Sequence, residues 1–297
     1  MNAESSCTAS VGTQKNFSGI SNTGLKIIAV VSMLMDHIYY MFSYTGLIPE
    51  WFPFAGRLAA PLFLFCFVEG FTHTHNRARY FLRIWLLAIP MGLCLFFMRF
   101  GGFGVRPDGF YPQNSMMSTF LILFALFQAI EWLCSRDKKK ILLGAVLLIF
   151  ELAWPYMIPF LSAALPSGGM ITGVLAYTAL PLMNLTGDLS MPVLLCGLAL
   201  FLTRKHRYLQ IAAMVAVEFG WHFCLVFFVM HNQPGFAFSQ MFSLYNEWMG
   251  GIFAIPLLLC YNGQRGAGYS RFFYAFYPLH VYILYALSWL LMPLLGH

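Results

Sequence analysis

Lys138-Lys139-Lys140-Ile141-Leu-Leu-Gly-Ala-Val-Leu-Leu-Ile-Phe150 decides the fold class. Three lysines run straight into a continuous apolar stretch with no alternation of polar and apolar residues. That pattern suits a membrane-spanning helix and not a strand of an outer-membrane barrel, whose lumen-facing positions would break it at every second residue. Leu25 to Val31 and Val281 to Leu295 read the same way.

The composition extends this reading to the whole chain. Of 297 residues, 60% are hydrophobic, 18% aromatic and 9% charged, against roughly 25% charged in an average soluble domain. A soluble fold is excluded. At about 20 residues per crossing, ten crossings take roughly 200 residues, which leaves no room for a second folded domain. The expected fold is all-α, a polytopic membrane helix bundle of about ten transmembrane helices, with nine to eleven as the range. Candidate spans are Leu25 to Tyr44, Ala55 to Thr72, Phe81 to Phe100, Met116 to Cys134, Ile141 to Phe160, Met170 to Asn184, Met191 to Thr203, Leu209 to Met230, Ser243 to Leu259 and Phe272 to Leu295. Residues 1–24 are rich in Ser, Thr, Asn and Gly without an apolar core. They read as a disordered cytoplasmic tail and not as a cleavable signal peptide, and residues 25–297 form a single membrane-embedded domain.

The net charge of +6 does not point to nucleic acid, because the basic residues sit between apolar spans and form no continuous segment. Lys26, Arg77 with Arg79, Arg136 with Lys138–Lys140, and Arg265 with Arg271 alternate as the positive-inside rule requires of cytoplasmic loops. Arg204, Lys205 and Arg207 break the alternation if ten full crossings are counted. Either one crossing between Met170 and Thr203 is miscounted, or this cluster lies outside. The seven cysteines show no CxxC spacing and read as small buried hydrophobes. Thr72-His73-Thr74-His75 lacks the ligand spacing of a metal site. Asn184-Leu185-Thr186 matches a glycosylation sequon by coincidence.

An ionisable side chain inside a membrane span is costly and is a functional candidate by default. In the first span Lys26 and His37 are eleven residues apart, so they share a helix face, roughly 16 Å apart along the axis. Asp36 points about 100° away from His37. Histidine can take up and return a proton near neutral pH, and a carboxylate can orient a partner; a polar packing cluster would use the same residues. Arg57 opens the second span and Glu69 closes it. Arg83 lies one turn into the third, where it is either a membrane-surface anchor or a ligand for an anion. Asn114 precedes the fourth span, as helix cap or as substrate contact. Glu218 and His222 share a face at i and i+4, and His280 lies in the last span.

Taken in order, Lys26 through Asp36-His37-Ile-Tyr-Tyr40, Gly56-Arg57 through Pro61-Leu-Phe and Glu69-Gly70, Tyr80-Phe-Leu-Arg83, Asn114 and Tyr277-Pro278-Leu279-His280 resemble the TraX family, named for the F-pilin acetylase of conjugative plasmids. More distantly, the Lys26/His37 spacing and Arg57 before Pro61-Leu-Phe are similar to membrane acyltransferases that O-acetylate surface polysaccharides. Those relatives usually carry Arg where this chain has Lys26.

The resemblance implies a multi-pass protein of the bacterial inner membrane. It implies acetyl transfer from cytoplasmic acetyl-CoA as co-substrate to an amine or hydroxyl acceptor, a peptide N-terminus or a glycan. It places His37, Asp36 and His280 in the catalytic set. It gives the acyl-CoA donor to Arg57, Arg83, Lys26 and Arg79, and the acceptor to Asn114, Glu69 and Tyr40, with no metal. A rival reading is a proton-coupled secondary transporter that uses Asp36, His37, Glu69, Glu218 and His222 as a relay. A third is an assembly factor without a reaction.

Overall fold

The structure, a computed structural model, describes residues 19–183 and 190–295. The helices are α1 (Asn22–Phe42), α2 (Phe52–Gly56), α3 (Ala59–His73), α4 (Arg77–Gly101), α5 (Met116–Leu133), α6 (Lys138–Ala164), α7 (Gly168–Tyr177), α8 (Met191–Leu202), α9 (Arg207–Glu218), a π-helix (Phe219–Leu225), α10 (Val226–Met230), α11 (Gln240–Ser243), α12 (Met249–Leu259) and α13 (Ser270–Leu295). Seven helical stretches are long and apolar enough to cross a membrane, and α7, α8 and α12 are shorter apolar helices. This is the expected all-α membrane bundle.

Local chemistry sets the helix starts. Ser21, Asn76 and Asp137 each accept a backbone N–H of the first turn of α1, α4 and α6 with their side-chain oxygens, which satisfies donors that a helix leaves free. The opening of α1 is stitched to the segment before α13. Asn22 and Thr23 donate their backbone N–H groups to the Gln264 and Arg265 carbonyls at 2.8 and 3.1 Å. Of the expected tail, residues 1–18 lie outside the described residues. Residues 19–24 are ordered by these bonds, so the tail boundary at residue 24 is corrected towards the N-terminus. The sequon at Asn184 also lies outside the described residues.

Helix α5 is the hub. In its most apolar window 72% of residues are buried, against 11% for α6, so α5 is enclosed by other helices while α6 shows most of its surface to lipid. Phe65 and Phe71 of α3, Phe127 of α5 and Phe201 of α8 are among the largest fully buried side chains. The Phe127 and Phe201 rings stack at 4.1 Å.

The crossing count follows from which ends meet. Arg77 at the start of α4 pairs with Glu131 near the end of α5, and Arg204 just past α8 reaches the same carboxylate at 3.4 Å. The end of α8 therefore lies at the same basic end as the start of α4. Helix α7 begins at the opposite, far end, with Gly168 packed on Ser162 near the end of α6, and α7 stops in mid-bundle. There Gly92 of α4 lets the Tyr177 carbonyl approach so closely that an added Cβ would sit 1.8 Å from its oxygen. With α7 about 15 Å long and α8 about 18 Å, the two make one broken crossing in a single direction.

Among the described residues the helices group into nine crossings: α1, α2–α3, α4, α5, α6, α7 with α8, α9–α10, α12 and α13. The count corrects the separate sixth and seventh spans to one and restores the alternation that Arg204, Lys205 and Arg207 had broken. Non-helical backbone at membrane depth is tolerated only where its polar groups find partners. Trp85 and Trp154 supply them, donating their indole N–H groups to the Ala179 and Leu180 carbonyls at 3.3 and 2.8 Å.

Candidate functional site

Helices α1 and α13 leave the basic end side by side and form a seam. Lys26 lies 5.9 Å from the Phe273 ring centre near the basic end. Tyr44 donates to the Ser288 carbonyl at 2.9 Å near the far end. Between them His37 meets His280. His37 lies fifteen residues past Asn22, about 22 Å along the axis, and so in the half of the bundle nearer the far end.

The hydrogen-bond chain there has one direction. His280 Nδ1 is 2.9 Å from the Phe276 carbonyl. A carbonyl can only accept, so this nitrogen carries the hydrogen and His280 Nε2 is bare. His37 Nδ1, 2.7 Å away, must then donate, which leaves His37 Nε2 with its lone pair. That lone pair takes an N–H from Asn114 Nδ2 at 2.8 Å. His37 and His280 are 7% and 5% exposed, with ring centres 4.9 Å apart. The Asn114 oxygen, turned the other way, is buried and has no hydrogen-bond partner among the described residues.

Asn114 reaches this depth because the segment 102–115 folds back from the far end onto the seam. Arg106, 4% exposed, fastens it. Its Nη1 donates to the Met41 carbonyl of α1 at 2.9 Å and to Ser288 Oγ of α13 at 3.2 Å. Its Nε and Nη2 hold the two oxygens of Asp108 at 2.8 and 2.6 Å. This bidentate contact keeps the Asp108 carboxyl below the usual carboxylate range. The Tyr285 hydroxyl completes the clasp, donating to the Gly104 carbonyl at 2.7 Å and accepting the Arg106 backbone N–H at 2.9 Å. The sequence reading did not single out Arg106. The signal was present in Arg106-Pro107-Asp108-Gly109, a turn signature with an arginine ahead of it.

The structure joins His37, His280 and Asn114, with the Tyr40 ring 6.4 Å from that of His37. It separates the rest. Asp36 does not orient His37, since both ring nitrogens are taken by His280 and Asn114. Its side chain lies instead against Gly56, where an added Cβ would come within 2.3 Å of the Asp36 Cβ. Arg57 was expected beside Arg83 near the basic end but sits towards the far end. Its Nε donates to Asn246 Oδ1 at 2.7 Å, and its Nη2 pairs with Glu247 at 3.1 Å.

Glu69 lies twelve residues beyond Arg57, about 18 Å along α3, and takes the Tyr261 hydroxyl at 2.9 Å. It is not part of the histidine cluster. Glu218 and His222 pair at 3.7 Å behind α3, with Glu218 packed on Gly251. The relay of Asp36, His37, Glu69, Glu218 and His222 that the transporter reading needs is thus divided among separate places. Near the basic end Lys26 and Arg265 lie together, Arg83 neighbours Tyr274 of α13, and Arg79 is exposed in the first turn of α4.

The sequence model of the TraX protein family matches residues 21–288. A curated relative, "Probable fimbrial assembly protein FimC, serogroup H1" of Dichelobacter nodosus, is 27% identical over 279 residues, 88% of this chain and 92% of that protein. No solved structure matches. The family match runs from the opening of α1 through the histidine pair and into the last turns of α13, and the chain is a multi-pass membrane protein that belongs to the TraX family.

Proposed function

We propose that the protein transfers an acetyl group from acetyl-CoA to an amine or hydroxyl acceptor, with His37 as general base. The observation that carries this reading is the directed chain from Asn114 through His37 and His280 to the Phe276 carbonyl. A base needs a free lone pair facing its substrate and a second group that steadies the charge it acquires. His37 Nε2 becomes that lone pair once the acceptor displaces the Asn114 amide. When the acceptor is an amine, the unpartnered Asn114 oxygen can then take its second N–H. His37 Nε2 receives the proton as the acceptor's nitrogen or oxygen bonds to the thioester carbonyl carbon and the carbon–sulfur bond breaks. The proton passes on to the departing thiolate. His280 Nε2 stays on His37 Nδ1–H throughout and holds the ring.

The positive-inside rule assigns the basic end to the cytoplasm. Lys26, Arg83 and Arg265 would hold the donor's phosphates there, roughly 16 Å from His37 along α1. Arg57 leaves this set because it lies towards the other end and is paired with Glu247. The acceptor then meets His37 from the far side, beneath segment 102–115. The name of the Dichelobacter relative favours the exposed amine of a fimbrial subunit over a glycan.

The test uses the purified protein in lipid nanodiscs with acetyl-labelled acetyl-CoA and a peptide whose N-terminus is either free or blocked. Label on the free peptide alone, lost in His37→Ala, is the expected result. Normal transfer by folded His37→Ala, or no transfer by the wild type to peptide or glycan acceptors, overturns it.

A further inference from the structure

We propose that the break between α7 and α8 borders a binding site for an amphipathic ammonium, a hydrophobic chain carrying one protonated amine. A cavity of about 280 Å³ lies there between α4, α5, α6 and the segment 179–181, lined by the rings of Phe81, Phe124, Phe150 and Trp154 and by Glu151 and Gln128. Glu151 lies thirteen residues into α6, about 20 Å along a helix of about 40 Å, and therefore at hydrocarbon depth. An ionisable group there is retained where it meets a partner or a ligand.

Three other polar atoms around the cavity have partners. Trp85 and Trp154 hold the Ala179 and Leu180 carbonyls, and Arg77 holds the Gln128 oxygen at 3.3 Å. Glu151 has no hydrogen bond or ion pair among the described residues. The described residues leave that partner to be supplied, and the cavity beside Glu151 has room for it.

The wall chemistry selects that partner. An anion offers this carboxyl no favourable charge, and a plain hydrocarbon fills the space but leaves the carboxyl unmatched. A metal ion finds no ligand set, because no group of three His, Cys, Asp or Glu side chains converges among the described residues. An ammonium meets both a counter-charge and aromatic faces that attract cations. Its chain meets Leu121, Ile122 and Leu147. The depth of Glu151 favours a free single-chain amine over the headgroup of a phospholipid, whose amine stays at the interface.

The probe is a terminally brominated long-chain alkylammonium added to the full chain in phosphatidylglycerol nanodiscs, read by quenching of tryptophan fluorescence. Quenching should saturate, be displaced by the unbrominated amine and shrink in Trp154→Phe. Glu151→Gln should weaken the saturable phase about tenfold or more. Leu147→Trp, which fills the cavity and keeps the carboxyl, should abolish it and serves if Glu151→Gln does not fold. Displacement by added phosphatidylethanolamine would retain the ammonium chemistry and make the lipid its source. Equal saturable quenching by the chain-matched brominated alcohol, or a saturable phase untouched by either variant at the cavity, overturns the proposal.

Discussion

Helix α1 has two polar sides. On one, His37 joins His280 and Asn114. On the other, Asp36 lies against Gly56, next to Arg57 with its partners Asn246 and Glu247. The second side carries more charge and includes a histidine–carboxylate pair beyond it, Glu218 with His222, at the start of a π-helix. Yet its charges are matched to one another, with Arg57 and Glu247 28% and 39% exposed. Around the two histidines of the first side no ion pair lies among the described residues, the Arg106–Asp108 pair being further along the seam. This side has a directed chain of nitrogens, nearly closed to solvent, that begins at Asn114, whose oxygen has no hydrogen-bond partner among the described residues. On the proposed reading charge density does not mark the reactive side; an unfinished hydrogen-bond chain does.

The comparison breaks most sharply at its two histidines. General-base catalysis contributes about 100- to 10,000-fold in rate, equivalent to roughly 3 to 5 kcal/mol of barrier. His37→Ala should lose acetyl transfer on that scale and keep its fold, since alanine is a good helix residue. His222→Ala should stay within about twofold of the wild type, because a paired, partly exposed histidine contributes little beyond its local contact. Turnover of the two purified variants decides. A larger loss at His222 would move the site to the other side of α1.

His280 should come next. It accepts from His37 Nδ1–H and donates to a backbone carbonyl, so its part is to hold the base in one tautomer. His280→Ala should cost about tenfold, within the lower range for acid–base assistance. His280→Gln, which can present an amide oxygen to the same N–H, should recover part of it. Rescue by Gln in kcat with unchanged donor KM identifies a positioning residue. A loss in His280→Ala exceeding that of His37→Ala would exchange the two roles.

Much of this was legible before any coordinates. Continuous apolar runs fixed the helical class and most span boundaries within a few residues, because lipid imposes length and apolarity on each crossing. Eleven-residue spacing put Lys26 and His37 on one face, and both line the α1–α13 seam. Pairings across the chain were not legible. Periodicity says which face a residue occupies but not which helix it meets, so Arg57 was grouped with Arg83 although the chain reverses between them. The single crossing made of α7 and α8 was signalled by charge parity, but its joint depends on Gly92 and on two tryptophans far away in sequence. Glu151 and Arg106 were missed: one is a lone carboxyl in a long span and the other an arginine in a turn, and their meaning comes from what surrounds them.

A smaller effect separates the two ends of the bundle. If the donor's phosphates bind near Lys26 and Arg83, Lys26→Gln should raise the acetyl-CoA KM about three- to tenfold, the loss of one charge-assisted contact. Arg57→Lys should leave that KM unchanged and cost at most about 1 kcal/mol of stability, as partly exposed ion pairs do. Both are read from KM values with thermal unfolding as control. A raised donor KM in Arg57→Lys would return that residue to the donor site.

The smallest expected effect concerns the clasp that brings Asn114 to His37. Arg106 holds Asp108 in its charged form and so lowers its pKa. A carboxylate with a depressed folded-state pKa contributes stability that is fully present above its unfolded value, near pH 4, and is lost as pH falls through the lower folded value. Between pH 5 and 8 the clasp should therefore be constant, and any pH dependence of turnover there belongs to other groups. Asp108 is 31% exposed, so solvent screens the pair and its loss should matter modestly. Asp108→Asn should lower turnover no more than about threefold and speed amide exchange across segment 102–115 at neutral pH. The wild type should show that faster exchange only in acid. Because Arg106 also donates to the Met41 carbonyl and to Ser288, Arg106→Gln should loosen the segment further than Asp108→Asn does. Equal exchange in both variants would mean that the carboxylate carries the clasp and the bonds to α1 and α13 do not.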